Sequence, residues 1–130
     1  MLMIPRNPTD LFSALSHQTR LRCVMLLLDQ PELCVCELTY ILGATQPHMS
    51  RHLAQLREAG LVLDRRNGLW NYYRVNPDLP AWAYKVLRET ASGLAGREPY
   101  ASDAEALVRM PKEVDAPRCN GLSVQAVPKA

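Results

Sequence analysis

The sequence predicts a mainly α-helical domain carrying one small β-hairpin, and three observations predict it. Apolar residues recur at helical spacing over most of residues 8–58 and again over 79–94. Between these stretches, two short strand-like runs flank Asn67-Gly68. Capping and breaking residues (Asp29-Gln30-Pro31, Gly43, Thr45, Gly60, Pro77) fall between the periodic segments rather than within them.

The elements follow in order. Pro8, Thr9 and Asp10 supply start signals for a first short helix with Leu11, Phe12 and Leu15 as its apolar stripe. A second helix fits Gln18 to Leu28, where Leu21, Val24, Met25 and Leu28 follow the i, i+3, i+4, i+7 pattern. A third covers Val35 to Leu42, with Gly43 ending it. Thr45 is the N-cap of a fourth, in which Pro47 is tolerated in the first turn; it runs to about Glu58. Leu61 to Arg66 and Leu69 to Val75 then form a hairpin, with Asn67-Gly68 suited to a two-residue turn that needs positive φ. A last helix runs from Leu79 to about Leu94, its stripe including Leu79, Trp82 and Val86. Helix, helix, turn, helix and an arginine-tipped hairpin are the outline of a winged helix-turn-helix.

Length and composition bound the organisation. At 130 residues and 48% hydrophobic, the chain is one compact domain with a little extra, able to bury a core without disulfides. Residues 1–95 read as a DNA-binding and dimerisation domain. Residues 96–130, with four prolines and no sustained periodicity, read as a flexible C-terminal tail in which only Ala104 to Met110 suggests a turn or two of helix. No apolar run approaches the ~18–20 residues that cross a bilayer, and the first ten residues lack a secretory pattern. The expected compartment is the cytoplasm, where thiols stay reduced and cysteines point to metal binding or reactivity rather than disulfides.

The formal charge of +2 hides a local excess, because residues 45–74 carry a net +3. On the fourth helix Met49, Leu53 and Leu56 share the face suited to packing, while His48, Arg51 and Gln55 share the opposite one, with Ser50 and His52 at its margins. These donor and acceptor side chains suit base edges or phosphates in a major groove; arginine can make two bonds to guanine and glutamine two to adenine. Which of them reads a base is left open by the sequence. Gln46 at the helix start, and Arg65 and Arg66 beside the hairpin turn, complete the expected DNA-binding set, the arginines as phosphate contacts. The apolar residues Leu11, Phe12, Leu15, Leu79, Trp82 and Val86 form an expected dimer interface, placing two recognition helices about one DNA turn, ~34 Å, apart.

Cys34-Val35-Cys36 carries the remaining chemistry. Two cysteines at i, i+2 of a regular helix point about 200° apart and do not share one ion, but at an unwound helix start they converge. A helix N-terminus lowers a thiol pKa, and thiolates select thiophilic ions. The three histidines make no zinc arrangement. An enzyme is not expected: a thiol reductase needs a Cys-x-x-Cys in a thioredoxin-like context or an anion cradle, and neither is present, nor is a glycine-rich phosphate loop.

Leu33-Cys34-Val35-Cys36-Glu37-Leu38, Gln46-Pro47-His48-Met49-Ser50-Arg51-His52-Leu53, the Leu56 to Val62 junction, the Arg65-Arg66-Asn67-Gly68 wing and the Ala14-Leu15-Ser16-His17 to Arg20-Leu21 segment together resemble the arsenic-responsive repressor (ArsR) family over residues 8–95. The resemblance implies a homodimer that binds operator DNA, with no permanent cofactor, and is released when trivalent arsenic or antimony meets the thiolates of Cys34 and Cys36. Well-known members carry a third cysteine where this chain has Thr39. Cys119 is then a candidate third thiolate, Cys23 reads as a buried core residue, and two-thiol coordination completed by hydroxide or a methyl group is the further option. A redox-sensing repressor with Cys119 as oxidation partner, and a cadmium- or lead-responsive one, are the alternatives.

Overall fold

The computed structural model describes residues 7–110. In chain order it contains α1 (Pro8–Leu15), α2 (Gln18–Leu28), β1 (Leu33–Cys34), α3 (Val35–Leu42), α4 (Gln46–Glu58), β2 (Val62–Asn67), β3 (Trp70–Val75), α5 (Ala81–Leu94) and α6 (Tyr100–Arg109). The first four helices begin and end where caps and periodicity place them. Asn7 Oδ1 accepts from the Thr9 amide at 3.1 Å, His17 Nδ1 from the Thr19 amide at 3.1 Å, and Thr45 Oγ1 from the His48 amide at 3.4 Å, so three of the four have an orphan N–H satisfied by their N-cap side chain. Gly43 closes α3 at φ 72°, a left-handed position where a Cβ would be strained.

The core is one cluster. Leu11 of α1, Val24 and Leu27 of α2, Leu38 of α3, and Met49, Leu53 and Leu56 of α4 are fully buried, together with Leu61, Val62 and, from α5, Leu87. Cys23 lies in it, its sulfur 3.5 Å from Met49 Sδ, and burial pushes its thiol pKa up to about 12. This is the inert, hydrophobe-like cysteine the sequence anticipates.

Three features differ from the sequence expectation. The hairpin pairs Asn67 with Trp70, so its two-residue loop is Gly68-Leu69 rather than Asn67-Gly68. Gly68, at φ 63°, supplies the left-handed position, and the register sets Arg65 opposite Tyr72 and Val62 opposite Val75. A third strand, β1, joins the hairpin antiparallel to β3, giving the order β1-β3-β2 with Leu33 opposite Tyr73 and Cys34 opposite Tyr72. Finally, residues 100–109 form a full helix where only a turn or two was expected over 104–110. α6 packs on α2 and α3, held by a two-pronged ion pair in which Arg22 Nε and Nη2 donate to Asp103 Oδ2 and Oδ1 at 2.8 and 2.7 Å. The helical body therefore continues past residue 95 to the buried Met110.

The wing is fixed to the end of α4. Asn76 is buried, its Nδ2 donates to the Gly60 carbonyl at 3.0 Å, and its amide donates to the Leu61 carbonyl at 2.9 Å. Recognition helix and wing thus meet at a hydrogen-bonded joint.

Candidate nucleic-acid interface and thiol site

On α4 the apolar residues Met49, Leu53 and Leu56 are turned inward, which leaves His48, Arg51 and Gln55 exposed and His52 and Ser50 half-buried. Gln46, expected in the same set, is 6% exposed and its Nε2 donates to Ser50 Oγ at 3.1 Å. His48 Nδ1 lies 3.1 Å from Thr45 Oγ1. Sequence reading nominated nothing on α2, yet α2 reaches the recognition face. The His17 and His52 rings are 4.3 Å apart, and Arg20 Nη1 lies 2.6 Å from Gln55 Oε1 and 3.2 Å from His52 Nδ1. Arg20 and Gln55 are 35 positions apart, so only tertiary packing reveals the contact; the sole hint is that Arg20 and His52 both fall in the motifs resembling one family. Burial lowers the pKa of His52, and the positive neighbours His17, Arg20, His48 and Arg51 lower it further.

On the wing, Arg66 is exposed, as is the apolar tip residue Leu69. Arg65 is more constrained than the sequence suggests. Its Nε donates to Glu32 Oε1 at 3.2 Å, its Nη2 to Glu32 Oε2, and its guanidinium carbon sits 4.8 Å from the centre of the Tyr72 ring. Glu32 directly precedes β1, so an expected phosphate contact shares an ion pair with the segment leading to the thiol site.

Cys34 is not a helical residue. It ends β1 and is the N-cap of α3, at φ −80° and ψ 153°, while Cys36 lies within the first turn. Cys34 is therefore outside the regular helix, and the opposed directions of a helical i, i+2 pair do not apply to it. Glu37 closes this start, its Oε1 accepting from the Cys34 amide at 2.6 Å. The Cys34 thiol differs from expectation in one respect: its pKa is raised, not lowered. Burial dominates, outweighing hydrogen bonds from the Cys36, Asn71 and Val35 amides that favour the thiolate, and the Glu37 carboxylate raises it further. Cys34 and Cys36 are only 2% and 6% exposed. Thr39, where a third thiol would stand, is buried and its hydroxyl donates to the Val35 carbonyl at 2.8 Å, so it is committed to its own helix. Among the described residues, no three His, Cys, Asp or Glu side chains are grouped to hold a metal ion. Cys119 lies outside the described residues.

The expected dimer residues divide. Phe12 and Trp82 are 52% and 42% exposed, Leu15, Leu79 and Val86 are half-buried, and Leu11 is fully enclosed in the protomer's own core. Among the described residues, no helix is long and apolar enough to cross a membrane.

Comparison with known proteins agrees with this geometry. The profile described as "Bacterial regulatory protein, arsR family" matches residues 17–63, from the N-cap of α2 into β2. The chain is 44% identical over 111 residues to the arsenic resistance transcriptional regulator ArsR1 of Pseudomonas putida, covering 85% of each chain. It is 53% identical over 84 residues to ArsR2 of the same organism (65% of this chain, 73% of the relative), and 52% identical over 82 residues to the arsenical resistance operon repressor of Escherichia coli (63% and 70%). Among solved structures, the transcriptional repressor BigR from Xylella fastidiosa superposes with a TM-score of 0.57 at 34% identity, covering 65% of this chain and 83% of that one. HlyU from Vibrio cholerae gives 0.59 at 29% identity, covering 65% and 88%. With the family profile matched over residues 17–63 and a relative 44% identical over 85% of both chains, the chain belongs to the arsR family of bacterial DNA-binding transcriptional regulators.

Proposed function

We propose that the chain is a cytoplasmic repressor that binds operator DNA as a homodimer and leaves it when trivalent arsenic or antimony is captured by Cys34 and Cys36. One observation carries the reading: Cys34 and Cys36 flank the joint between β1, a strand of the wing sheet, and α3, which connects through only Gly43-Ala44-Thr45 to α4. A change at that joint has a short path to both parts of the DNA-binding surface. The names of the Pseudomonas and Escherichia relatives support the choice of effector.

The burial of both sulfurs supplies the mechanism of release. Cys36 is disulfide-bonded in this structure, so capture by both sulfurs requires its reduction first; a thiophilic ion binding both then opens the start of α3, breaking the Glu37–Cys34 contact and the Cys34–Tyr72 pairing. The inducer therefore binds the opened form more tightly than the closed one, and only such a difference shifts an equilibrium. A coupling of ~1–3 kcal/mol weakens operator binding by about 5–150-fold. The inducer draws thiolates, so capture also expels the protons that burial holds on Cys34. Cys119 is the proposed third thiolate.

The test is a titration of a duplex selected by the protein from a random-sequence pool, under a thiol reductant, with arsenite, antimonite, an organic arsenite, cadmium or zinc. Arsenite and antimonite should weaken binding by wild type within that range. Cys34→Ser, which keeps a good N-cap, and Cys36→Ser should bind the duplex and ignore arsenite. Cys119→Ser should lose arsenite affinity; unchanged affinity removes the tail from the site. Release by peroxide alone, reversed by the reductant, overturns the metalloid reading in favour of a redox sensor.

A further inference from the structure

Among the side chains of the recognition helix that can both donate and accept hydrogen bonds at the groove are His52 and Gln55. Glutamine reads adenine by using both halves of its amide, the oxygen accepting from N6–H and the nitrogen donating to N7. Either half alone loses that code. What Gln55 can read thus depends on which way its oxygen is held.

It is held by Arg20. Arg20 Nη1 lies 2.6 Å from one end of the Gln55 amide and 3.2 Å from His52 Nδ1. A guanidinium only donates, so the amide atom facing it must be the oxygen and the ring nitrogen facing it must be unprotonated. Nη1 has two hydrogens, one for each acceptor. The rest of the guanidinium is anchored away from DNA: Nε donates to the Ala14 carbonyl at 2.6 Å and Nη2 points to the Ser13 carbonyl at 3.4 Å. Both carbonyls belong to the last turn of α1, where a cation is favoured by the helix dipole. Arg20 is therefore held by α1 on one side and reaches α4 on the other. The remaining polar atoms of the two recognition residues are the Gln55 amide nitrogen and, in the neutral ring, His52 Nε2–H. Arg51 beside them is itself a donor.

We propose that Arg20 is a positioning residue for sequence recognition, holding the Gln55 oxygen and the acceptor nitrogen of His52 on its own side, so that this part of α4 presents donors to acceptors (guanine O6 and N7, or phosphate oxygens) and does not read adenine through Gln55. The inference rests on the operator-binding reading and deepens it by naming the chemistry of the groove contacts. His52 agrees with it, since burial and the surrounding cations favour the neutral ring, which has one acceptor nitrogen to give to Arg20.

The experiment uses the full chain and the best duplex selected from a random-sequence pool. Each adenine is replaced singly by a purine lacking the N6 amino group, and wild type is compared with Gln55→Ala. Gln55→Ala should weaken binding, but no N6 deletion should hurt wild type more than the variant. An N6 deletion that costs wild type roughly tenfold and Gln55→Ala nothing overturns the proposal. Replacing guanines by 7-deazaguanine, with salt titrations, assigns the donor: a Gln55-dependent loss at one guanine marks a base contact, and a uniform loss marks phosphate. Gln55→Glu keeps a partner for Arg20 but has no donor, so it should fold with an undiminished Tm and bind about tenfold weaker or worse; wild-type affinity in that variant overturns the idea. Arg20→Met releases the Gln55 oxygen, and a repeat selection should then gain an adenine; a folded Arg20→Met with the wild-type preference overturns it, and Gln55→Glu decides if that variant does not fold. Nitrogen NMR of the His52 ring should find the proton on Nε2, and a proton on Nδ1 in the neutral ring contradicts the arrangement. Failure of wild type to select any sequence removes the operator reading and this inference together, whereas selection with a Gln55-dependent adenine removes the inference alone.

Discussion

His52 holds its proton less tightly than an isolated imidazole because it is partly buried and faces His17, Arg20, His48 and Arg51. The consequence for stability has a definite sign. A histidine whose folded pKa lies below the unfolded value of about 6.5 favours the fold while neutral, so its contribution is fully present above that pH and is lost as pH falls through the folded value. In urea unfolding, the stability difference between wild type and His52→Gln should therefore narrow steadily as pH is lowered from 7 towards 5. A difference independent of pH would show that the ring's proton affinity is the same folded and unfolded. At this scale the sequence was partly legible. The outward positions of His48, Arg51 and Gln55 follow from helical period alone, whereas the contact of Arg20 with Gln55 and His52 depends on how α2 crosses α4. The direction of the Cys34 pKa was also hidden, because capping position is local but burial is not.

The elements legible in the sequence are those whose cause is local. α2 and α4 have strong periodicity, capping residues and breakers within their own segments, and their bounds match. β1 is two residues long, too short to carry a pattern, and exists because Leu33 and Cys34 find Tyr73 and Tyr72 as partners. The hairpin register escaped for a related reason. Asn-Gly favours its own turn, but Arg65 placed against Tyr72 and Glu32, and Asp64 within 3.3 Å of Arg57, set which residues face each other. α6 is the largest gain over the sequence. Asp103 is 5% exposed, so its charge is tolerable only with Arg22 beside it, and Arg22 correspondingly has its pKa raised by that bond. Arg22→Met should cost about 3 kcal/mol or more, read as a lower urea midpoint, because it strands a buried carboxylate. Arg22→Met with Asp103→Leu should recover most of that loss. A cost below about 1 kcal/mol for the single variant would mean that apolar contacts of Leu107 and Met110, not the ion pair, hold α6.

At the scale of the molecule, one protomer presents one recognition helix and one wing, with basic side chains gathered in residues 45–74 of a nearly neutral chain. That patch gives affinity that falls with salt, but a single helix in a single groove spans few base pairs. Phe12, Trp82 and Tyr84 are large apolar side chains exposed on the same protomer, away from the core cluster. If Phe12 and Trp82 are covered by a second copy, two recognition helices bind as one ligand, and the second contact gains from the effective concentration set by the first. Trp82→Glu places a charge in that contact without disturbing a buried residue. It should sediment as a monomer at micromolar concentration where wild type is a dimer, retain the helical circular dichroism of wild type, and bind the selected duplex about a hundredfold weaker or worse. The salt slope of its residual binding should fall towards half the wild-type value, since half the phosphate contacts remain. A wild-type monomer at that concentration, or a Trp82→Glu protein that stays dimeric and binds DNA unchanged, would place the partner surface elsewhere on the fold.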